Sequence, residues 1–98
     1  MAQLVWTKEA GLWLKEIFDF IALDNPVAAA NVVDGIYNKA QLLEDYPELG
    51  YPYEHASGKD IRITLYGHYR IAYLVDLPDY VHILGIFHGS LKIENYLL

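Results

Sequence analysis

The chain contains no cysteine, and only seven of its 98 residues are lysine or arginine. Without thiols there is no disulfide framework and no thiolate zinc site, which suits a reducing compartment. Four scattered histidines form no metal-binding spacing, so neither a metal nor another cofactor is expected. Long apolar runs are missing too. No stretch approaches the roughly 20 residues that span a bilayer, and "MAQLVWTKEA" lacks the basic-then-apolar layout of a secretory signal. A cytoplasmic protein is the expectation. The shortage of basic residues leaves a formal net charge of −6, which opposes non-specific binding to nucleic acid, because neutralising phosphates needs a basic face.

What is present is apolar and aromatic: 54% hydrophobic residues and 14% Phe, Trp and Tyr. That is enough for one core over residues 1–98, read as a single domain, with a net stability of about 5–10 kcal/mol. Charge is unevenly placed. Residues 1–60 hold four Lys/Arg against ten Asp/Glu, whereas 61–98 hold three against three and include both arginines, Arg62 and Arg70. A bound anion would sit in that second segment.

The periodicity is clear. "QLVWT" (3–7) reads as a short strand, with Thr7 placed to cap a helix by accepting from an early backbone N–H. Ala10, Trp13, Leu14, Ile17, Phe18 and Ile21 recur at three- and four-residue steps, one face of a helix. In "DNP" Asn25 can cap a second helix and Pro26 suits its first position, where no N–H is required. Ala29, Val32, Val33, Ile36, Tyr37, Ala40 and Leu43 form that helix's stripe, and Tyr46-Pro47 ends it. So short a link predicts an antiparallel helical hairpin. Residues 47–60 are rich in turn formers and read as a loop.

Three strands follow, at 61–66, 69–76 and 80–89, with tight turns at Gly67-His68 and Leu77-Pro78-Asp79. The predicted order is β-α-α-β-β-β, an α+β domain with the hairpin packed on one face of a twisted antiparallel sheet. Alternation of side chains assigns Ile61, Ile63, Leu65, Ile71, Tyr73, Val75, Val81, Ile83 and Phe87 to the face under the helices. On the opposite face it places Arg62, Thr64, Tyr66, Arg70, Ala72, Leu74, His82, Leu84, Ile86 and His88, provided no bulge shifts the register. Leu74, Leu84 and Ile86 would then form an exposed apolar patch, which usually marks a partner surface.

On this reading Arg62 and Arg70 lie within reach of one anion, since a guanidinium pair suits phosphate or carboxylate. The alternative is structural pairing, with Asp60, Asp76 or Glu94. His88, near the end of the last strand, is a candidate general acid or base, against the simpler role of a surface residue. His55 and His68 carry less signal. Ser57 and Ser90 have no activating motif around them. Glu44, Asp45 and Glu48 cluster after the second helix, as solvated groups or as a site for a basic partner.

In order, Trp6-Thr7, Ile21, the alanine-rich second helix, Pro47 and Gly50, Arg62, Tyr69-Arg70-Ile71, Tyr73 and His88 form a pattern that resembles the RelE/ParE toxins of bacterial type II toxin–antitoxin modules. The resemblance covers nearly the whole chain. It implies a small toxin of a plasmid-stabilisation type module, inhibiting growth and held inactive by a cognate antitoxin. Two branches follow from the resemblance. A ParE-like toxin acts on DNA gyrase by binding, here through Arg62, Tyr66, Arg70, Leu74, Leu84 and Ile86. A RelE-like toxin cleaves mRNA on the ribosome, for which Arg62, Arg70, His88 and Tyr96 are the candidate catalytic residues. Gly85, Gly89, Ser90 and Leu91 stand where nuclease relatives commonly carry Arg or Lys, leaving Lys59, Lys92 and Tyr96 as stand-ins. Cleavage by a 2′-hydroxyl needs cations around the developing phosphorane charge, so the ParE-like branch, or a non-toxic descendant that only binds, is preferred over the enzyme.

Overall fold

The structure, a computed structural model, describes residues 2–54, 58–89, 91 and 93–96, Glu94 by its backbone alone. The elements are β1 (Gln3–Trp6), α1 (Lys8–Ala22), α2 (Pro26–Gln41), β2 (Tyr51–Tyr53), β3 (Ile61–Tyr66), β4 (Tyr69–Asp76) and β5 (Tyr80–His88), with 3-10 turns at Leu42–Glu44 and Ile93–Asn95. Both caps form as expected. The Thr7 hydroxyl accepts from the Ala10 N–H and itself donates to the Ile83 carbonyl at 2.7 Å, tying the start of α1 to β5. The Asn25 side chain accepts from the Ala28 N–H at 3.0 Å, with Pro26 in the first helical position. Each cap satisfies an amide that a helix start would otherwise leave unpaired.

The strands run in the order β1-β5-β4-β3-β2. β3, β4 and β5 form the expected antiparallel meander, but β1 joins β5 in parallel, so the sheet is mixed. Within the predicted loop, Tyr51–Tyr53 add a fifth strand against Ile61–Ile63.

Two corrections concern the faces. Across the two-residue Gly67-His68 turn, Tyr66 pairs with Tyr69, and directly paired residues share a face. Even positions of β3 therefore lie with odd positions of β4. Ile61, Ile63 and Leu65 leave the helix-covered face, and Arg62, Thr64 and Tyr66 join it. In β5 a bulge opposite Ala72/Tyr73 inserts one residue, so Ile83 pairs with Tyr73 but Ile86 pairs with Ile71. Ile86 thereby turns under the helices and Phe87 turns away.

The main core follows from that register. Ala10 of α1, Ile36 and Ala40 of α2, and Leu43 pack on Ile71, Tyr73, Val81, Ile83 and Ile86. Each isoleucine is fully buried, worth about 1.5–3 kcal/mol relative to exposure. A smaller core covers the second face, where Ile63, Ala72, Phe87 and Ile93 pack with Trp13, Tyr53 and Leu91 around them. Gly85 permits this: a Cβ there would stand 2.5 Å from the Phe87 ring, which folds back over the strand. No helix among the described residues is long and apolar enough to cross a membrane.

Candidate partner-binding surfaces

The two arginines lie on opposite faces. Arg62 pairs across the ladder with Tyr73 on the helix-covered face, and Arg70 pairs with Leu65 and Phe87 on the other. Each is bound within the chain. Arg62 Nε donates to Asp60 Oδ1 at 3.1 Å, and its Nη1 donates to the Gly50 carbonyl at 3.1 Å. Among the described side chains the structural ion pair is thus the one to Asp60, while Asp76 approaches His82 at 3.8 Å. Beside Arg62, the Tyr73 hydroxyl accepts from the Gly50 N–H and donates to the Pro47 carbonyl, both at 2.8 Å. Arg62 and Tyr73 together hold residues 47–50 on the sheet. Burial pushes the Tyr73 phenol up from its ordinary value, against smaller lowering effects of the Gly50 amide and Arg62. Gly50 is needed for this approach, since a Cβ would stand 2.5 Å from the Ile63 carbonyl oxygen and 2.7 Å from the Tyr73 hydroxyl.

Arg70 Nη2 donates to the Leu91 carbonyl, and its Nε is buried without a hydrogen-bond partner. It therefore ties the segment after β5 to the second face. Tyr96 continues that cover, stacking on Phe87 at 5.5 Å and meeting the Trp13 ring edge-on at 5.1 Å. His88 stands exposed at the far end of β5, its ring 5.7 Å from Tyr69 and 6.2 Å from His68. Arg62 and His88 share a face, but their ladder partners Tyr73 and Tyr69 are four residues apart, about 13 Å along a strand. The set Arg62, Arg70, His88 and Tyr96 does not converge on one point. His55, Ser57, Ser90 and Lys92 lie outside the described residues. Among the described residues, no cluster of acidic and histidine side chains could hold a metal ion.

The proposed apolar patch divides as well. Leu74 and Leu84 are half-buried on the second face, but Ile86 is fully buried beneath the helices and Tyr66 packs toward Gly35 of α2. A second apolar surface lies elsewhere. Between α1 and the ends of β4 and β5 runs a groove of about 240 Å³, lined by Trp13, Ile17, Phe20, Tyr69 and Leu91, with Glu16 and His88 beside them. Next to it, at the tip of the helical hairpin, Phe20, Leu23 and Val27 are 76%, 83% and 70% exposed. The acidic side chains of Glu16, Asp19 and Asp24 are exposed among these residues. Lys15, ion-paired with Asp19 at 2.6 Å, shares that rim, and an exposed apolar strip with a polar rim is the kind of surface on which a partner docks. The signal lay in α1 and its C-cap, where Leu12, Phe20 and Leu23 are apolar residues beyond the stripe that the core requires.

A helical hairpin on a five-stranded mixed sheet is the fold shared with solved toxin–antitoxin structures. The chain is similar to a structure described as the chromosomal ParDE toxin–antitoxin system from P. aeruginosa, with a TM-score of 0.74 and 22% identity, covering 92% of this chain and 98% of that one. It is also similar to a chain of the toxin–antitoxin complex RelBE2 from Mycobacterium tuberculosis, with a TM-score of 0.61, 22% identity, and 89% and 96% covered. A comparison with curated proteins finds no match. The family model described as the ParE toxin of the type II toxin–antitoxin system parDE matches residues 4–92. The chain belongs to the ParE toxin family.

Proposed function

We propose that the chain is an active toxin of the binding type, which inhibits DNA gyrase and is neutralised by a cognate antitoxin. The observation that carries the choice of branch is the separation of Arg62 and Arg70. They lie on opposite faces, and each donates to a carbonyl of its own chain, so they do not form the paired cations that a phosphorane needs. A target held by contact alone needs only a surface. The antitoxin is expected to cover the apolar strip of Trp13, Phe20, Leu23 and Val27, and basic residues in it would answer Glu16 and Asp24, Asp19 being paired with Lys15.

Expression without the antitoxin should stop growth, and the purified chain should inhibit gyrase supercoiling. Supercoiling that proceeds normally at micromolar excess removes the gyrase reading. Primer extension that finds A-site cuts in translated mRNA would replace it with the RelE-like nuclease, and unimpaired growth would replace it with a non-toxic binding module.

A further inference from the structure

A third exposed surface lies at the other end of α2 from the hairpin tip, about 24 Å away along a helix of 16 residues. Tyr46, Leu49, Tyr51 and Leu65 stand there, between 45% and 63% exposed. Two open hollows, of about 390 and 500 Å³, share Leu49 as a wall. Tyr51, Leu65 and Lys39 line the first, and Tyr46, Asp45 and Glu48 line the second. The backbone that presents these side chains is fastened. The Tyr46 N–H donates to the Leu42 carbonyl at 2.9 Å, the Leu49 N–H donates to the Tyr46 carbonyl at 3.0 Å, and Tyr73 and Arg62 hold Pro47 and Gly50. A fastened loop gives up little freedom when a partner covers it. Glu44, Asp45 and Glu48 add negative charge just after the carbonyl end of α2, whose dipole has the same sign. Among the described residues none of these three carboxylates forms an ion pair.

From this we infer that the surface around Tyr46 and Leu49 docks on a basic surface of the target enzyme, of the kind with which that enzyme holds DNA. The inference rests on the gyrase reading above and deepens it by naming the face that meets the target. An enzyme that acts on DNA presents basic surfaces, because neutralising phosphates requires them. A chain with a formal charge of −6 is drawn to such a surface, and the attraction speeds encounter. Asp45 and Glu48 then meet Lys or Arg of the target. Charge pairs exposed to water hold weakly by themselves, and Tyr46 and Leu49 supply the apolar contact that excludes water from them. The antitoxin fits worse here, since the apolar strip proposed for it lies at the far end of α2. A second copy of this chain also fits worse, because it brings the same carboxylates together.

The test uses purified DNA gyrase holoenzyme, supercoiling of a relaxed plasmid, and the full chain. Asp45→Asn with Glu48→Gln should raise the concentration needed for half-inhibition at least about tenfold, and so should Tyr46→Ser with Leu49→Ser. Direct binding of the labelled chain to gyrase, followed by fluorescence anisotropy, should weaken as salt is raised, and less steeply for the carboxylate pair than for wild type. Affinity for the product of the adjacent reading frame should stay within about twofold for the carboxylate pair, because the hairpin tip is distant. If the Tyr46→Ser pair misfolds, the carboxylate pair still decides, since it alters exposed side chains and no backbone bond. A carboxylate pair that inhibits as wild type does, with the same salt dependence, overturns the inference and leaves the gyrase reading standing. A wild-type chain that neither binds gyrase nor inhibits supercoiling overturns both. Antitoxin affinity that falls by the same factor as inhibition assigns the surface to the antitoxin, and self-association that the carboxylate pair strengthens assigns it to a second copy. Either result overturns the inference.

Discussion

Replacing Tyr73 by phenylalanine removes one oxygen and two hydrogen bonds. The side chain is fully buried, and its hydroxyl is the hydrogen-bond partner of the Gly50 N–H and the Pro47 carbonyl. The ring stays in the core, so almost no apolar packing is lost. What remains is a buried amide and a carbonyl without partners, and a deletion of that kind costs about 1–3 kcal/mol. In a chain of this size that is a fall in melting temperature of roughly 5–15 °C. Circular dichroism melts at neutral pH measure it directly. The alkaline limb provides a second reading. Because burial raises the phenol above its ordinary 10.0, the unfolded chain loses its proton first as pH rises. Tyr73's contribution is therefore complete below pH 10 and is lost as pH climbs through the raised folded value. The gap between wild type and Tyr73→Phe should narrow above pH 10. A variant that melts within about 1 °C of wild type, with a gap constant from pH 7 to 11, would refute the claim that this hydroxyl fastens residues 47–50 to the sheet.

Other changes probe separate features. Gly50→Ala puts a methyl group against a backbone carbonyl that cannot move aside, so it should destabilise by about 1–3 kcal/mol or more in denaturant titrations. Ile93→Ala should cost about 2–5 kcal/mol by the same method, because Ile93 is fully buried on the second face. A loss below 0.5 kcal/mol would mean that the Ile93–Asn95 turn does not cover that face in solution. Phe20→Ser with Leu23→Ser should leave unfolding within about 0.5 kcal/mol per site, as both side chains are largely exposed. The same pair should weaken antitoxin binding by at least about tenfold in calorimetry, and unchanged affinity would remove the hairpin tip from the interface.

The helices and their caps were legible because Thr7, Asn25 and Pro26 act locally, through bonds spanning three residues. The meander was legible because Gly67-His68 and Leu77-Pro78-Asp79 punctuate it. Which face each β3 residue occupies was also encoded. A two-residue turn pairs position i with i+3, so 66 with 69, which transfers Arg62 to the face of Tyr73. Counting odd numbers straight through the turn missed this. The bulge at Leu84-Gly85 is another matter, because it shows only in the ladder, where Tyr73 pairs with Ile83 but Ala72 pairs with Gly85, a register that the assembled β4–β5 pair sets. β2 escaped notice because Tyr51–Tyr53 pair only with their neighbours on β3 and sit among turn formers. The arginines drew attention as chemistry, yet they serve as fasteners, whereas the exposed apolar residues of α1 were visible as an excess over what one buried stripe requires.

The parallel pairing of Gln3–Trp6 with Tyr80–Ile83 makes the first strand synthesised wait for the last. During translation β1 has no ladder partner until β5 leaves the ribosome, and contacts so distant in sequence are slow to form. A nascent chain therefore carries an unfinished sheet until residues 80–83 have emerged. The helical hairpin of residues 8–41, with its apolar tip, is thus made before the sheet on which it packs is complete.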